Sequence, residues 1–168
     1  SCFIFANGPS MQQLDLKKVK ALQSKGHDVF CVNSYVTSEF AHELMPNFYV
    51  ASDPGYFGAR GVGVDLPEHT FKLIPKQIEI LNQNGVVNFV PFQFLRSNPF
   101  KKYYAFNDFE NLFSNNWKPT CSRGFLSLSG LKALALACWL GYDRKYVCGF
   151  DHSYHLKLRV DENNRLSY

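Results

Sequence analysis

The chain alternates between short, wholly apolar runs and longer stretches whose apolar positions recur at helical spacing. Ser1 to Ala6 is apolar after its first residue, as a strand buried on both faces requires. It breaks at once into Asn7-Gly8-Pro9-Ser10. Leu16, Val19 and Leu22 then keep a helical period that stops near Gly26. Asp28 to Val32 predicts a second strand, ending in Asn33-Ser34-Tyr35, and Phe48 to Ala51 a third, ending in Ser52-Asp53-Pro54-Gly55. His69 to Gly85 reads as a strand entering a helix, with Pro75 near the first turn of that helix. Val86 to Phe92 is the fourth strand. Between Leu95 and Lys118 the chain is rich in Phe, Tyr, Asn and Lys and receives no element. Such a segment serves as a lid over a site or as a packing insert.

Ser129 to Leu140 carries one charge, Lys132, and no proline. A helix apolar on every side is expected to be buried over most of its surface. Gly141 follows where a left-handed cap favours glycine, with Arg144 and Lys145 behind it for the negative end of the helix dipole. Lys145 to Phe150 is a further strand, running into Asp151-His152-Ser153. Beyond it, Leu156 to Val160 suits another strand and Asp161 to Asn164 a turn. No closing helix follows, so the natural chain is expected to continue past Tyr168. Alternating strands and helices without repeat or linker predict one α/β domain over residues 1–168, Rossmann-like, with a mainly parallel sheet flanked by helices.

Composition changes this picture little. Aromatics make up 16% of the chain, enough that the surplus must pack outside an ordinary core. No apolar run approaches the roughly 20 residues that span a bilayer, and the first residues lack the basic segment of a signal peptide. The five cysteines, Cys2, Cys31, Cys121, Cys138 and Cys148, form no CxxC, and all but Cys121 sit in apolar patterns. They read as small hydrophobes in a reducing cytoplasm rather than as zinc ligands. A formal charge of +4 suits anionic substrates or a membrane surface, and does not call for nucleic acid.

Three successive strands end in NGPS, NSY and SDPG, each with an Asn or Asp at what a parallel sheet makes a single edge. Ligands of open α/β sheets bind in the crevice beyond the carboxyl ends of the strands. Gly8 is expected to allow positive φ, Pro9 to fix the next residue, and Ser10 to cap the segment that follows, which together would form a phosphate cradle. A bare turn explains NGPS equally well on its own; three endings at one edge favour a site. The motif is neither GxGxxG nor GxxxxGK[ST]. Gly149, Asp151, His152 and Ser153 are placed at the same rim. So is the helix start around Ser127, Ser129 and Gly130, whose small residues and backbone N–H groups suit an anion.

Together these residues resemble the bacterial lipooligosaccharide sialyltransferases and related domains, including the hydroxymethylpterin diphosphokinase-like ones. The resemblance rests on Asn7-Gly8-Pro9-Ser10 after the first strand, Asn33 after the second, and a Pro-linked polar residue after the third. Further along come Ser129-Gly130, Gly141-Tyr142 and Gly149-x-Asp151. It implies a glycosyltransferase that takes an acidic, sialic-acid-like sugar from a CMP-activated donor without a metal or other cofactor. The acceptor would be a glycan or glycolipid of bacterial surface polysaccharide. Asn7 to Ser10 would lie near the phosphate, and Asn33, Asp53, Ser129, Gly130, Gly149 and Asp151 would contact the nucleotide or donor sugar. A homo-oligomer is compatible with it.

The departures bear on catalysis. Asp53 stands where the family has Asn, Leu128 replaces a Thr, Leu126 occupies the position of an Arg, and Ser153 replaces a leaving-group Tyr. Tyr154 and Arg159 are the candidates to assist the departing phosphate. Histidine suits the general base because it titrates near neutrality. His152 and His155 are the candidates within the chain, while the family's base falls beyond Tyr168. For both histidines a loop residue bonded to backbone is the alternative. Two other functions stay open: a diphosphokinase-like enzyme in which Asp53 and Asp151 hold Mg²⁺ and ATP phosphates, and a nucleotide-binding module without catalysis.

Overall fold

A computed structural model describes residues 1–58, 68–111, 113–124, 128–151, 159–160 and 166–167. Six strands form one parallel sheet: β1 (Cys2–Phe5), β2 (Asp28–Val32), β3 (Phe48–Val50), β4 (Val87–Pro91), β5 (Tyr103–Phe106) and β6 (Lys145–Cys148). Their spatial order is β5-β4-β3-β2-β1-β6. The helices are α1 (Leu16–Gln23), α2 (Phe40–Glu43), α3 (Glu68–Gln83) and α4 (Ser129–Trp139). Two further two-residue strands, β7 (Arg159–Val160) and β8 (Leu166–Ser167), pair antiparallel with each other. The architecture is α/β and Rossmann-like, as the alternation of elements predicts.

Successive strand residues point to opposite faces, which divides the core in two. Phe5, Val29, Cys31 and Tyr49 pack with Leu16, Val19, Ile74 and Leu81 on the side of α1 and α3. Cys2, Ile4, Phe30, Val32 and Val50 pack with Ala133, Leu136 and Ala137 on the side of α4. Both faces of the central strands are covered, so these strands read as largely apolar runs. The aromatic surplus is spent in part here, with Phe30 stacked on Phe48 at 4.7 Å and Phe57 on Phe94 at 4.7 Å between ring centres.

Two expectations need correction. Residues His69 to Gln83 contain no strand; they belong to α3, which starts at Glu68 and holds Pro75 in its interior. The buried positions Ile74, Gln77 and Leu81 keep helical spacing, and Pro75 itself is exposed. The segment after Leu95 supplies β5, one of the two edge strands, whose Tyr103 and Tyr104 stay 46% and 64% exposed. An edge strand is covered on fewer sides, so it lacks the apolar run that reveals a central one.

The helix α4 is covered along most of its length, as its apolar sequence predicts, with Gly130, Lys132, Ala133, Leu136 and Ala137 buried. One side packs on the sheet, while Trp139 and the following Leu140 are each 47% exposed. Its single charge also points inward. Lys132 is 7% exposed, and its Nζ donates to Asp108 Oδ2 at 2.8 Å, while Arg123 Nε donates to Asp108 Oδ1 at 2.6 Å. Burial pulls the Lys132 ammonium below its ordinary range, and the Asp108 carboxylate beside it opposes that fall. The pair fastens the chain beyond β5 to the first turns of α4. Gly141 takes φ +82 behind the helix, as expected of its cap.

Candidate functional site

All six strands of the sheet run the same way, so their carboxyl ends share one edge, and the sequence-predicted residues of the strand ends and of the start of α4 lie there. From β1 the chain steps outward through β2, β3, β4 and β5, then returns across α4 to place β6 on the other side of β1. The order therefore reverses between β1 and β6. That is the switch point at which open α/β sheets form their ligand crevice.

The two loops that meet at this point are Asn7–Ser10 and Gly149–Asp151. Gly8 N donates to Gly149 O at 2.9 Å, and Ala6 N to Cys148 O at 2.9 Å, extending the β1–β6 ladder past the strand ends. Ser10 is the hub. Its hydroxyl donates to Asp151 Oδ2 at 2.8 Å and accepts from Gly149 N at 3.0 Å, while its own N–H donates to the same Asp151 oxygen at 3.1 Å. Both glycines are required by close approach. A Cβ on Gly8 would lie 2.1 Å from Asp151 Oδ2 and 2.6 Å from Gly149 O, and one on Gly149, at φ +79, would lie 2.3 Å from Ala6 O.

The cradle expected of NGPS takes another form. Gly8 has φ −72 and ψ 160, an extended conformation open to any residue. Ser10 is not a cap; it lies inside a 3-10 turn, Pro9–Gln13, preceded by Gly8 without a side-chain cap, and α1 starts later behind Asp15, which accepts from Lys18 N at 3.1 Å. The loop amides are spent within the chain: Gly8 N on Gly149, Ser10 N on Asp151, and Met11 N on Gly8 O at 3.1 Å. The anion that Ser10 holds is Asp151.

Along the rim, Asn7 Nδ2 donates to Ser34 Oγ at 2.8 Å, tying the first loop to the second. Asn33 beside it is exposed and has φ 55. Beneath it, Tyr49 donates to the Asn33 carbonyl, and the Tyr56 hydroxyl lies 3.3 Å from that oxygen and 2.6 Å from the Tyr49 hydroxyl. Tyr56 also donates to Gln77 Oε1. Burial pushes both phenols well above their ordinary range.

At the third strand end Asp53 accepts from Gly55 N at 2.8 Å, holding the 3-10 turn Pro54–Phe57. Its neighbour Ser52 meets the start of α4, with 2.8 Å between Ser52 Oγ and Ser129 Oγ. Leu128 precedes α4 without a side-chain capping bond, so the helix dipole reaches the rim there. Gly130 is small for packing reasons, because a Cβ would stand 2.7 Å from the Phe150 ring.

The structure thus brings Asn7, Gly8, Ser10, Gly149 and Asp151 together and sets Asn33, Ser129 and Asp53 beside them on the same edge. Leu126, Ser127, His152, Ser153, Tyr154 and His155 lie outside the described residues, and Arg159 enters only as part of β7. Among the described residues, no group of three or more His, Cys, Asp or Glu side chains converges on a point where a metal could sit. No helix among them is long and apolar enough to cross a membrane. A concave surface of about 370 Å³ between the start of α1 and α2, lined by residues 14–17, Glu39, Phe40 and Glu43, contains none of the predicted residues. Sequence reasoning missed Ser52, Tyr49, Tyr56 and Gln77. Two buried tyrosines close to a strand end and a buried glutamine on a helix were the signals, since each needs a polar partner inside. Compared with known proteins, the chain matches no family model, no curated protein and no solved structure.

Proposed function

We propose that this chain is a nucleotide-binding domain of glycosyltransferase type, using an acidic sugar carried on CMP. The observation that supports it is the meeting of Asn7–Ser10 with Gly149–Asp151 at the β1–β6 switch point. In this reading Asp151, oriented by Ser10, accepts hydrogen bonds from the nucleotide. Asn7 and Asn33 supply amides along the rim, and the N-terminus of α4 at Ser129 faces the negative charge of the phosphate. Transfer then needs a base for the acceptor hydroxyl proton and donors for the departing phosphate. His152, His155, Tyr154 and Arg159 remain the candidates for those roles within this sequence, and a histidine beyond Tyr168 is the other source of the base. The acceptor in this proposal is a glycan or glycolipid of the bacterial surface, met in the cytoplasm or at the inner membrane.

Thermal unfolding with CMP, CDP and ATP, each with and without Mg²⁺, tests the reading. A ligand at a hundred times its Kd stabilises by about 2.7 kcal/mol, which is several degrees for a chain of this size. Stabilisation by CMP that does not depend on Mg²⁺ is expected. Stabilisation by ATP only with Mg²⁺ would move the assignment to the diphosphokinase-like reading, and no response to any nucleotide would overturn both. Radiolabelled sugar transfer from CMP donors to surface glycans then separates an enzyme from a binding module.

A further inference from the structure

We propose that Tyr49 and Tyr56 are positioning residues for the nucleotide site, acting through the backbone of Asn33; this rests on the nucleotide-binding reading above. Asn33 is the one non-glycine with positive φ among the described residues. Left-handed backbone is unfavourable for a residue with a Cβ, though asparagine bears it better than most. Such conformations persist where the surroundings over-determine them, and they gather at ligand sites. Here the surroundings are plain. The Asn33 carbonyl turns down into the core, where Tyr49 donates to it and the Tyr56 hydroxyl stands 3.3 Å away. Turning the carbonyl inward leaves the Asn33 side chain exposed at the edge, next to Ser34 and its bond to Asn7.

The support beneath is itself braced from two directions. Tyr49 comes from β3, and Tyr56 from the 3-10 turn after it. Gln77 of α3 accepts from Tyr56 and donates to Thr37 Oγ1 at 3.4 Å, and Thr37 donates to Ser34 O at 2.9 Å. The network therefore starts and ends on the loop that carries Asn33. Tyr49 is fully buried and Tyr56 nearly so, and burial keeps both hydroxyls protonated as donors across the working pH range. An apolar ring would fill the same space equally well, so the hydroxyls need a polar reason to be there. Holding one amide in one orientation at the rim is that reason.

The test compares the wild type with Tyr49→Phe, Tyr56→Phe, the double variant, and the same three changes in an Asn33→Ala background. Two quantities are read: the Kd for CMP by calorimetry, and the Asn33 amide–Hα coupling by NMR, which reports its φ. Phenylalanine keeps the packing, and each single variant removes one hydroxyl, so folded protein is expected throughout. Asn33→Ala should weaken CMP binding roughly tenfold, the worth of one good hydrogen bond. Tyr49→Phe/Tyr56→Phe should reproduce that loss, add nothing in the Asn33→Ala background, and move Asn33 out of the left-handed region. A further loss of affinity in that background, or an unchanged coupling, would overturn the inference. If the wild type binds no CMP, the nucleotide reading falls, and the coupling alone decides whether the tyrosines hold Asn33.

Discussion

Ser10 and Asp151, 141 positions apart, are joined by two hydrogen bonds that converge on one carboxylate oxygen. The contact closes the seam between the first and last strands of the sheet at the point where the strand order reverses. It makes one pair of side chains responsible both for the end of the β1–β6 ladder and for the orientation of an acid at the rim.

Asp151→Ala is therefore expected to weaken CMP binding more than Asp143→Ala, whose carboxylate lies on an exposed turn after α4. It should also lower stability by about 1–2 kcal/mol, the low end for hydrogen bonds to a charged group at an exposed site. Calorimetry and urea unfolding on both variants check this. Equal CMP affinity in the two would remove Asp151 from the site.

Gly8→Val should fail at the level of folding rather than of ligand binding. The added carbon meets Asp151 Oδ2 and the Gly149 carbonyl, both held by other bonds, so the seam must open. A cost of about 1–3 kcal/mol is expected, as for overpacking in general. Gly149→Ala should cost at least as much, because it combines a clash with Ala6 O and a positive φ. Denaturant unfolding measures both. A Gly8→Val protein as stable as the wild type would show that the seam is looser than these contacts require.

Breaking the buried charge group beneath α4 should be more damaging. Asp108→Ala leaves Lys132 and Arg123, 8% and 12% exposed at their side chains, without the carboxylate they share. Loss of one partner of a buried pair typically costs about 3–5 kcal/mol. Lys132→Met should cost less, because Arg123 still neutralises Asp108 and methionine fills similar space. If the order of the two variants is reversed on urea unfolding, Asp108 is not the centre of the group.

The central strands were legible because burial on both faces leaves an uninterrupted apolar run, and the shared carboxyl edge of the candidate residues followed from parallel strands ending in Asn, Asp and Gly. The edge strand β5 was not, because Tyr103 and Tyr104 face solvent and sit among Asn and Lys. The strand expected before α3 came from reading Pro75 as a helix start, whereas Pro75 lies inside α3 and the helix begins at Glu68. Gly8 and Ser10 were singled out as parts of a phosphate cradle, whereas Gly8 is extended and the Ser10 amide and hydroxyl hold Asp151. A loop whose amides could hold a phosphate looks the same, in one dimension, as a loop whose amides hold a carboxylate from 141 residues away. Likewise Lys132 reads as a stray charge on an apolar helix until Asp108 and Arg123 are folded against it.

The buried thiols predict how stability responds to alkaline pH. Cys2 is fully buried on β1, and burial pushes its thiol up from 9.0 to about 11; the fully buried Cys31 on β2 is raised well above its ordinary value for the same reason. In the unfolded chain both thiols ionise near 9.0, while in the folded chain they keep their protons. Between those limits the folded state binds more protons than the unfolded, so stability falls as pH rises. The stability conferred by Cys2 is thus fully present below pH 9 and lost through about pH 11. A shift of about two units corresponds to at most about 3 kcal/mol. Lys132 acts in the opposite sense, since its lowered value makes stability rise with pH as it approaches 10.5. It is one group against two thiols and the phenols of Tyr35, Tyr49, Tyr56 and Tyr142, which burial also raises. Urea unfolding at pH 8, 9, 10 and 11 under reducing conditions should show a fall beginning above pH 8.5. In Cys2→Ala the starting stability should be lower and the fall shallower. A slope unchanged by that substitution would mean that Cys2 reaches solvent and ionises in the folded protein, which its place between β2 and β6 does not allow.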